Sequence, residues 1–215
     1  MSVAVKTCGL STEEAVAAAV AGGAKYLGFV FYPPSPRSVT AERAAELCRA
    51  VPKGVAKVGL FVDADDLLLA QVLNRVPLDL LQFHGKESPE RVADVKRRFG
   101  RPVMKAVHVA VAEDLAAVEG YKDVADWILF DAKPPKTATA LPGGNGLAFD
   151  WSILGGRSWP FHWMLSGGLT AENLEEAVIA TGATVVDVSS GIESRPGVKD
   201  VTKIAAFLAA AQRVG

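Results

Sequence analysis

The chain has 215 residues and a formal charge of −1, with 50% apolar and 22% charged residues. That composition is globular and excludes intrinsic disorder, collagen and low-complexity character. The near-neutral balance, with Lys and Arg scattered, argues against nucleic-acid or membrane-surface partners, which call for a basic patch.

In chain order, residues 1–6 lack the charged and long apolar regions of a signal peptide and read as a strand. No apolar run reaches the roughly 20 residues of a membrane helix. A cytoplasmic chain is expected, with no disulfide between Cys8 and Cys48. Eight short, almost continuously apolar runs follow, at 3–6, 26–31, 56–61, 78–83, 102–107, 127–131, 162–166 and 185–189. They predict parallel strands covered on both faces. Helical segments alternate with them. Ser11 with Glu14 fits a capping box, Thr40 and Thr170 each precede a helical run, and Ser88-Pro89 places a cap before a first-turn proline. Leu69, Val72, Leu73 and Val76 share one helical face; Val92, Val95 and Phe99 form the next stripe. Lys96-Arg97-Arg98 reads as a solvated helix end matched to the macrodipole.

Strict alternation implies a parallel sheet with right-handed crossovers. Eight units of about 27 residues, near the minimum for a βα repeat, and no dinucleotide fingerprint favour a closed (β/α)₈ TIM barrel over an open doubly wound sheet. One barrel domain spanning 1–215 is expected. A long connection, 132–146, follows the sixth strand and carries Gly143, Gly144 and Gly146. Loops of that length are usually functional.

In such a barrel the chemistry lies at the C-terminal strand ends. Gly167-Gly168 and Ser190-Gly191, after strands seven and eight, leave the backbone open to an anion and predict a phosphate site. Cys8 ends strand one beside Lys6, which allows partial ionisation and a role as base or nucleophile; the other reading is a buried structural cysteine. Cys48 reads as packing. Asp131 ends an apolar strand, where a raised pKa would suit a general acid; the other reading is a cap or a salt bridge with Lys133. A thiolate and a protonated carboxyl across one mouth suit isomerisation. Arg37, stiffened by Pro33, Pro34 and Pro36, is preorganised for a carboxylate or phosphate. His84, His108 and His162 are far apart in sequence and show no metal-ligand spacing, so no metal is expected. His108 and His162 read as structural, while His84 either lines the site or fixes a loop.

The ordered set of motifs resembles the phosphoribosylanthranilate isomerases. It comprises Lys6-Thr-Cys-Gly9, Gly28-Phe-Val-Phe-Tyr-Pro-Pro-Ser-Pro-Arg37, Val58-Gly-Leu-Phe-Val62, Leu81-Gln-Phe-His-Gly85 and Leu129-Phe-Asp-Ala-Lys133. Gly143-Gly-Asn-Gly146, Phe149-Asp-Trp151, Leu165-Ser-Gly-Gly-Leu169, Val186-Asp-Val-Ser-Ser-Gly-Ile-Glu193 and Pro196-Gly197 complete it. Thr7, Pro34 and Phe83 depart from the usual residues. The resemblance implies an Amadori rearrangement of N-(5-phosphoribosyl)anthranilate in tryptophan biosynthesis, without cofactor or metal. It implies Cys8 as general base, Asp131 as general acid, Arg37 on the anthranilate carboxylate, and His84 as a further substrate-binding residue. Gly167, Gly168, Ser190 and Gly191 would hold the phosphate, under a lid at Gly143, Gly144 and Gly146. A phosphorylated small molecule is the expected partner, and a monomer or homodimer the expected state. Two alternatives are a ProFAR-isomerase-like enzyme, which would use two aspartates where this chain has Cys8, and a non-catalytic sugar-phosphate-binding barrel, which would lack the acid and base.

Overall fold

The computed structural model describes residues 2–134 and 141–214; part of the long connection expected over 132–146 lies outside them. Eight parallel strands form a closed barrel in chain order. They are β1 (Ala4–Cys8), β2 (Tyr26–Val30), β3 (Ala56–Phe61), β4 (Leu80–Phe83), β5 (Val103–Val109), β6 (Trp127–Ala132), β7 (His162–Leu165) and β8 (Val185–Val188). β8 closes onto β1 with Lys6 opposite Asp187.

Strand side chains alternate between two faces. One face points outward and packs Phe29, Phe61, Phe83, Phe130 and Val186 under the helices. The other points inward, where Val58, Leu80, Met104, Ala106, Leu129 and Met164 fill the barrel axis. Two residues further along the inward rows come Gln82 on β4, His108 on β5 and Asp131 on β6, and His84 follows two residues after Gln82. The apolar plug thus stops below the mouth, and polar side chains replace it.

Around the barrel lie α1 (Glu13–Ala21), α2 (Ala41–Cys48), α3 (Asp66–Leu73), α4 (Pro89–Phe99), α5 (Leu174–Thr181) and α6 (Val201–Arg213). Thr40 and Ser88 cap α2 and α4 as expected. The α1 cap is Thr12 rather than Ser11: the Ala15 N–H donates to the Thr12 hydroxyl at 3.2 Å. Thr170 does not cap α5. Its N–H donates to Asn173 Oδ1 at 2.7 Å, and the helix begins one residue after that asparagine. The fifth and sixth connections are 3₁₀ segments, Ala112–Gly120 and Trp151–Leu154, where α-helices were expected. In the first, the buried Leu115 and Val118 are three residues apart, which suits three residues per turn. After β8 a short antiparallel hairpin forms, β9 (Glu193–Arg195) with β10 (Val198–Lys199). The basic cluster sits in the last turn of α4, with Lys96 paired to Asp126 and Arg98 to Asp66.

Candidate active site

Cys8, Arg37, His84, Asp131, Gly167, Gly168 and Ser190 line one cleft at the C-terminal mouth. Gly168 and Ser190 also line an adjoining cup with Gly191 and Lys203. The expected site residues therefore share one end of the barrel.

Asp131 is buried. Its Oδ2 lies 3.1 Å from His84 Nε2, and its Oδ1 accepts the Ala132 N–H at 2.9 Å. Gln82 Nε2 lies 2.9 Å from His84 Nδ1, and the Asp131 carboxylate, which can only accept, takes the His84 Nε2–H. Burial pushes the Asp131 carboxyl up, but the His84 hydrogen bond and charge, with His108 and the Ala132 N–H, outweigh it. The carboxyl is held below the usual range. This corrects the raised pKa expected from an apolar strand end: the strand is apolar on its outward face, and Asp131 faces the polar inward one. Lys133 pairs with Asp114 at 2.7 Å, not with Asp131.

The expectation that the histidines stay apart also fails for two of them. Adjacent strands bring the His84 and His108 rings to 5.2 Å. Ligand-type atoms of His84, His108 and Asp131 lie within 4.8 Å of one another. His108 Nε2 donates to the Pro142 carbonyl at 2.7 Å, fixing the far arm of the long connection. Burial, and then His84, push the His108 imidazole down. His162 lies at the other end of the barrel and stacks on Trp127.

Cys8 is buried and free. Two residues earlier on the inward row, Lys6 is completely buried and bonds Asp187 at 2.8 Å. Burial pushes the Cys8 thiol up; Lys6 and Lys199 pull it down and Asp187 opposes them, leaving it above the usual value. The partial ionisation expected beside Lys6 is corrected accordingly: much of that ammonium's charge is balanced by Asp187. Cys48 is on the outer face, against the helices, as expected for packing.

Arg37 is buried in the loop after β2. Its Nε and Nη2 donate to the two oxygens of Glu193 at 2.8 and 2.9 Å, and Nη2 also donates to the Gly144 carbonyl at 2.9 Å.

At the glycine turns after β7 and β8, Gly168 has φ +65°. A Cβ there would meet Ala148 N at 2.7 Å, and one on Gly191 would run into the Leu169 carbonyl. Only glycine fits either position. Among the described residues the N–H groups of Gly168 and Gly191 donate to no other protein group. Asn173 Nδ2 donates to the Gly168 carbonyl at 3.0 Å and braces the turn.

Comparison with known proteins decides between the readings left open. Residues 5–210 match the family model for N-(5′phosphoribosyl)anthranilate (PRA) isomerase. The chain belongs to the N-(5′-phosphoribosyl)anthranilate isomerase family. A family member from Rhodospirillum centenum is 62% identical over 98% of this chain and 99% of its own length. One from Paracoccus denitrificans is 60% identical over 98% of each. The isomerase structure from Thermotoga maritima superposes with a TM-score of 0.86 at 35% identity, covering 97% of this chain and 98% of that one. Another isomerase structure, in complex with reduced 1-(o-carboxyphenylamino)-1-deoxyribulose 5-phosphate, gives 0.82 at 34% identity, covering 97% and 98%. The chain is thus an isomerase of tryptophan biosynthesis built on the family's barrel.

Within that family frame, sequence reasoning missed Gln82, His108, Asp187, Glu193 and Lys199. The period-2 rule would have found the first three. They sit two residues along the inward row from Leu80, Ala106 and Val185.

Proposed function

We propose that this cleft carries out the family's reaction with Asp131 as acid and Cys8 as base. The substrate is N-(5-phosphoribosyl)anthranilate. Asp131 in its acid form protonates the furanose ring oxygen. The C1′–O bond breaks and the anilino nitrogen lone pair forms the C1′=N iminium. The Cys8 thiolate takes the C2′ proton; the C–H electron pair becomes the C1′=C2′ bond and the iminium π pair returns to nitrogen. The enolamine tautomerises to the 2-ketone, so atoms and electrons balance without an external oxidant or reductant. Arg37 donates to the anthranilate carboxylate, and His84 is a further substrate-binding residue. The turns at Gly167-Gly168 and Ser190-Gly191 take the phosphate on backbone N–H groups. Gly143, Gly144 and Gly146 cover the substrate.

The observation that carries this reading is that a buried thiol and a buried carboxyl line one cleft at the barrel mouth, with Arg37 beside them. The resting pair is a thiol and a carboxylate. That is the state left after one pass, with the proton moved from C2′ to Cys8 and from Asp131 to the ring oxygen. A new turnover needs the minority form, with the proton on Asp131 and Cys8 ionised. The general acid–base contribution of each group is about 10²–10⁴-fold.

The test is to generate the substrate in situ and follow the loss of its anthranilate-type fluorescence when the chain is added. Fluorescence loss that depends on the chain supports the reading; a rate equal to the background removes it. We place the reaction in the cytoplasm; no helix among the described residues is long and apolar enough to cross a membrane. We propose a monomer or a homodimer; the Thermotoga maritima relative is described as dimeric and was also obtained as monomers. Sedimentation separates the two.

A further inference from the structure

The β9–β10 hairpin carries two charged groups with buried side chains that no step above uses. Glu193, at the start of β9, is buried and grips Arg37 through both carboxylate oxygens. Lys199, on β10, donates to Glu193 Oε1 at 2.9 Å and to the Ser189 carbonyl at 2.8 Å. Ser189 Oγ in turn donates to the Cys8 carbonyl at 3.2 Å. An unbroken polar chain thus runs from the Arg37 guanidinium to the strand end that holds Cys8.

A guanidinium has five N–H donors in a fixed plane. Glu193 takes the Nε donor and one of the Nη2 donors, and the Gly144 carbonyl takes the other Nη2 donor. Nη1 has no hydrogen-bond partner among the described residues. It lies beside Gly144, which lines the cleft. The plane of Arg37 is therefore set by Glu193, and the edge left for a ligand is the Nη1 edge beside Gly144 in the cleft lining. Lys199 matters because a carboxylate with Arg37 alone would cancel its charge. With Lys199 added, the triad Arg37–Glu193–Lys199 keeps a net charge of about +1 with both cations protonated, and attraction for an anion survives.

We propose that Glu193 is a positioning residue that makes Arg37 selective for the ortho-carboxylate of the substrate. It rests on the Arg37 role proposed above. The structural alternative is that Glu193 only stabilises the hairpin. The two differ in what they do to a substrate that lacks the carboxylate.

The experiment compares two substrates, formed from ribose 5-phosphate with anthranilate and with aniline, in wild type, Glu193→Gln and Arg37→Ala. Glu193→Gln should raise KM for the anthranilate compound by roughly ten- to hundred-fold, with a smaller change in kcat. It should change kcat/KM for the aniline compound by less than about threefold, within the scatter of uncoupled sites. Equal losses on both substrates would overturn the proposal. If Arg37→Ala also lacks discrimination, the Arg37 role itself falls. If Arg37→Ala discriminates and Glu193→Gln does not, only the Glu193 inference falls. Should Glu193→Gln fail to fold by circular dichroism, Glu193→Asp carries the same comparison. It keeps the charge, and the same ratio between substrates decides.

Discussion

His84 sets the acidity of Asp131. Burial alone would raise that carboxyl, and the His84 contact, with smaller help from His108 and Ala132, reverses the shift. Replacing His84 with Ala should therefore raise the Asp131 pKa and move the acid limb of the kcat/KM profile upward in pH. No movement of that limb would mean that another group titrates there. Cys8 shows the complementary effect. Its thiol is held above the usual value, so alkylation by iodoacetamide should accelerate with pH through a midpoint above that of a free thiol. Rapid alkylation at neutral pH would show the thiolate to be the resting form. At Gly191, replacement by Ala drives a Cβ into the Leu169 carbonyl. We expect KM for the phosphorylated substrate to rise at least about tenfold, the scale of a lost charge-assisted contact, while Ala at the exposed Gly54 should not change it.

At the scale of elements, the strands place the chemistry and the connections tune it. On β4, β5 and β6 the inward row runs from an apolar residue in the barrel to a polar one at the mouth, as in Leu80, Gln82, His84 and Leu129, Asp131, while the β2 and β3 rows end on Val30 and Val62. The eight strands and the mouth residues were legible because parallel strands are near-continuous apolar runs and the fold puts function at their ends. His108 was lost by ending strand five at Val107, two residues before the observed end of β5. The two 3₁₀ connections were not legible, since apolar residues three apart, Leu115 with Val118 and Trp151 with Leu154, suit either kind of helix. Glu193 and Lys199 were hidden for a different reason. They come from a hairpin, and the link to Arg37 spans 156 residues. The sign of the Asp131 shift depended on neighbours that only the closed barrel brings together. Local capping, by contrast, is a local property: Ser88→Ala should cost about 1 kcal/mol in chemical denaturation, with m unchanged.

For the whole molecule, the charge of −1 is compatible with an anionic ligand because the positive charge is placed locally, at Arg37 and Lys199 and on backbone N–H groups. The same design links stability to pH. Burial pushes the Asp131 and Glu193 carboxyls up, but His84 in one case, and Arg37 with Lys199 in the other, hold both below their usual values. Depressed carboxylates stabilise the fold above the unfolded carboxylate value of about 4. That contribution is lost as pH falls through their lower folded values. The urea midpoint should be nearly flat from neutral pH down to about 5 and fall below about 4. Glu193→Gln should flatten that fall; an unchanged slope would exclude Glu193 from the linkage.

The division of labour between one thiol and one carboxylate is tested most directly by measuring kcat/KM for in situ phosphoribosylanthranilate side by side in four proteins: wild type, Cys8→Ala, Asp131→Asn and Cys48→Ala. Cys8→Ala and Asp131→Asn should each fall by about 10²-fold or more, with Cys48→Ala close to wild type. Near-normal turnover by Asp131→Asn, or loss of turnover in Cys48→Ala with Cys8→Ala active, would contradict the assignment of acid and base.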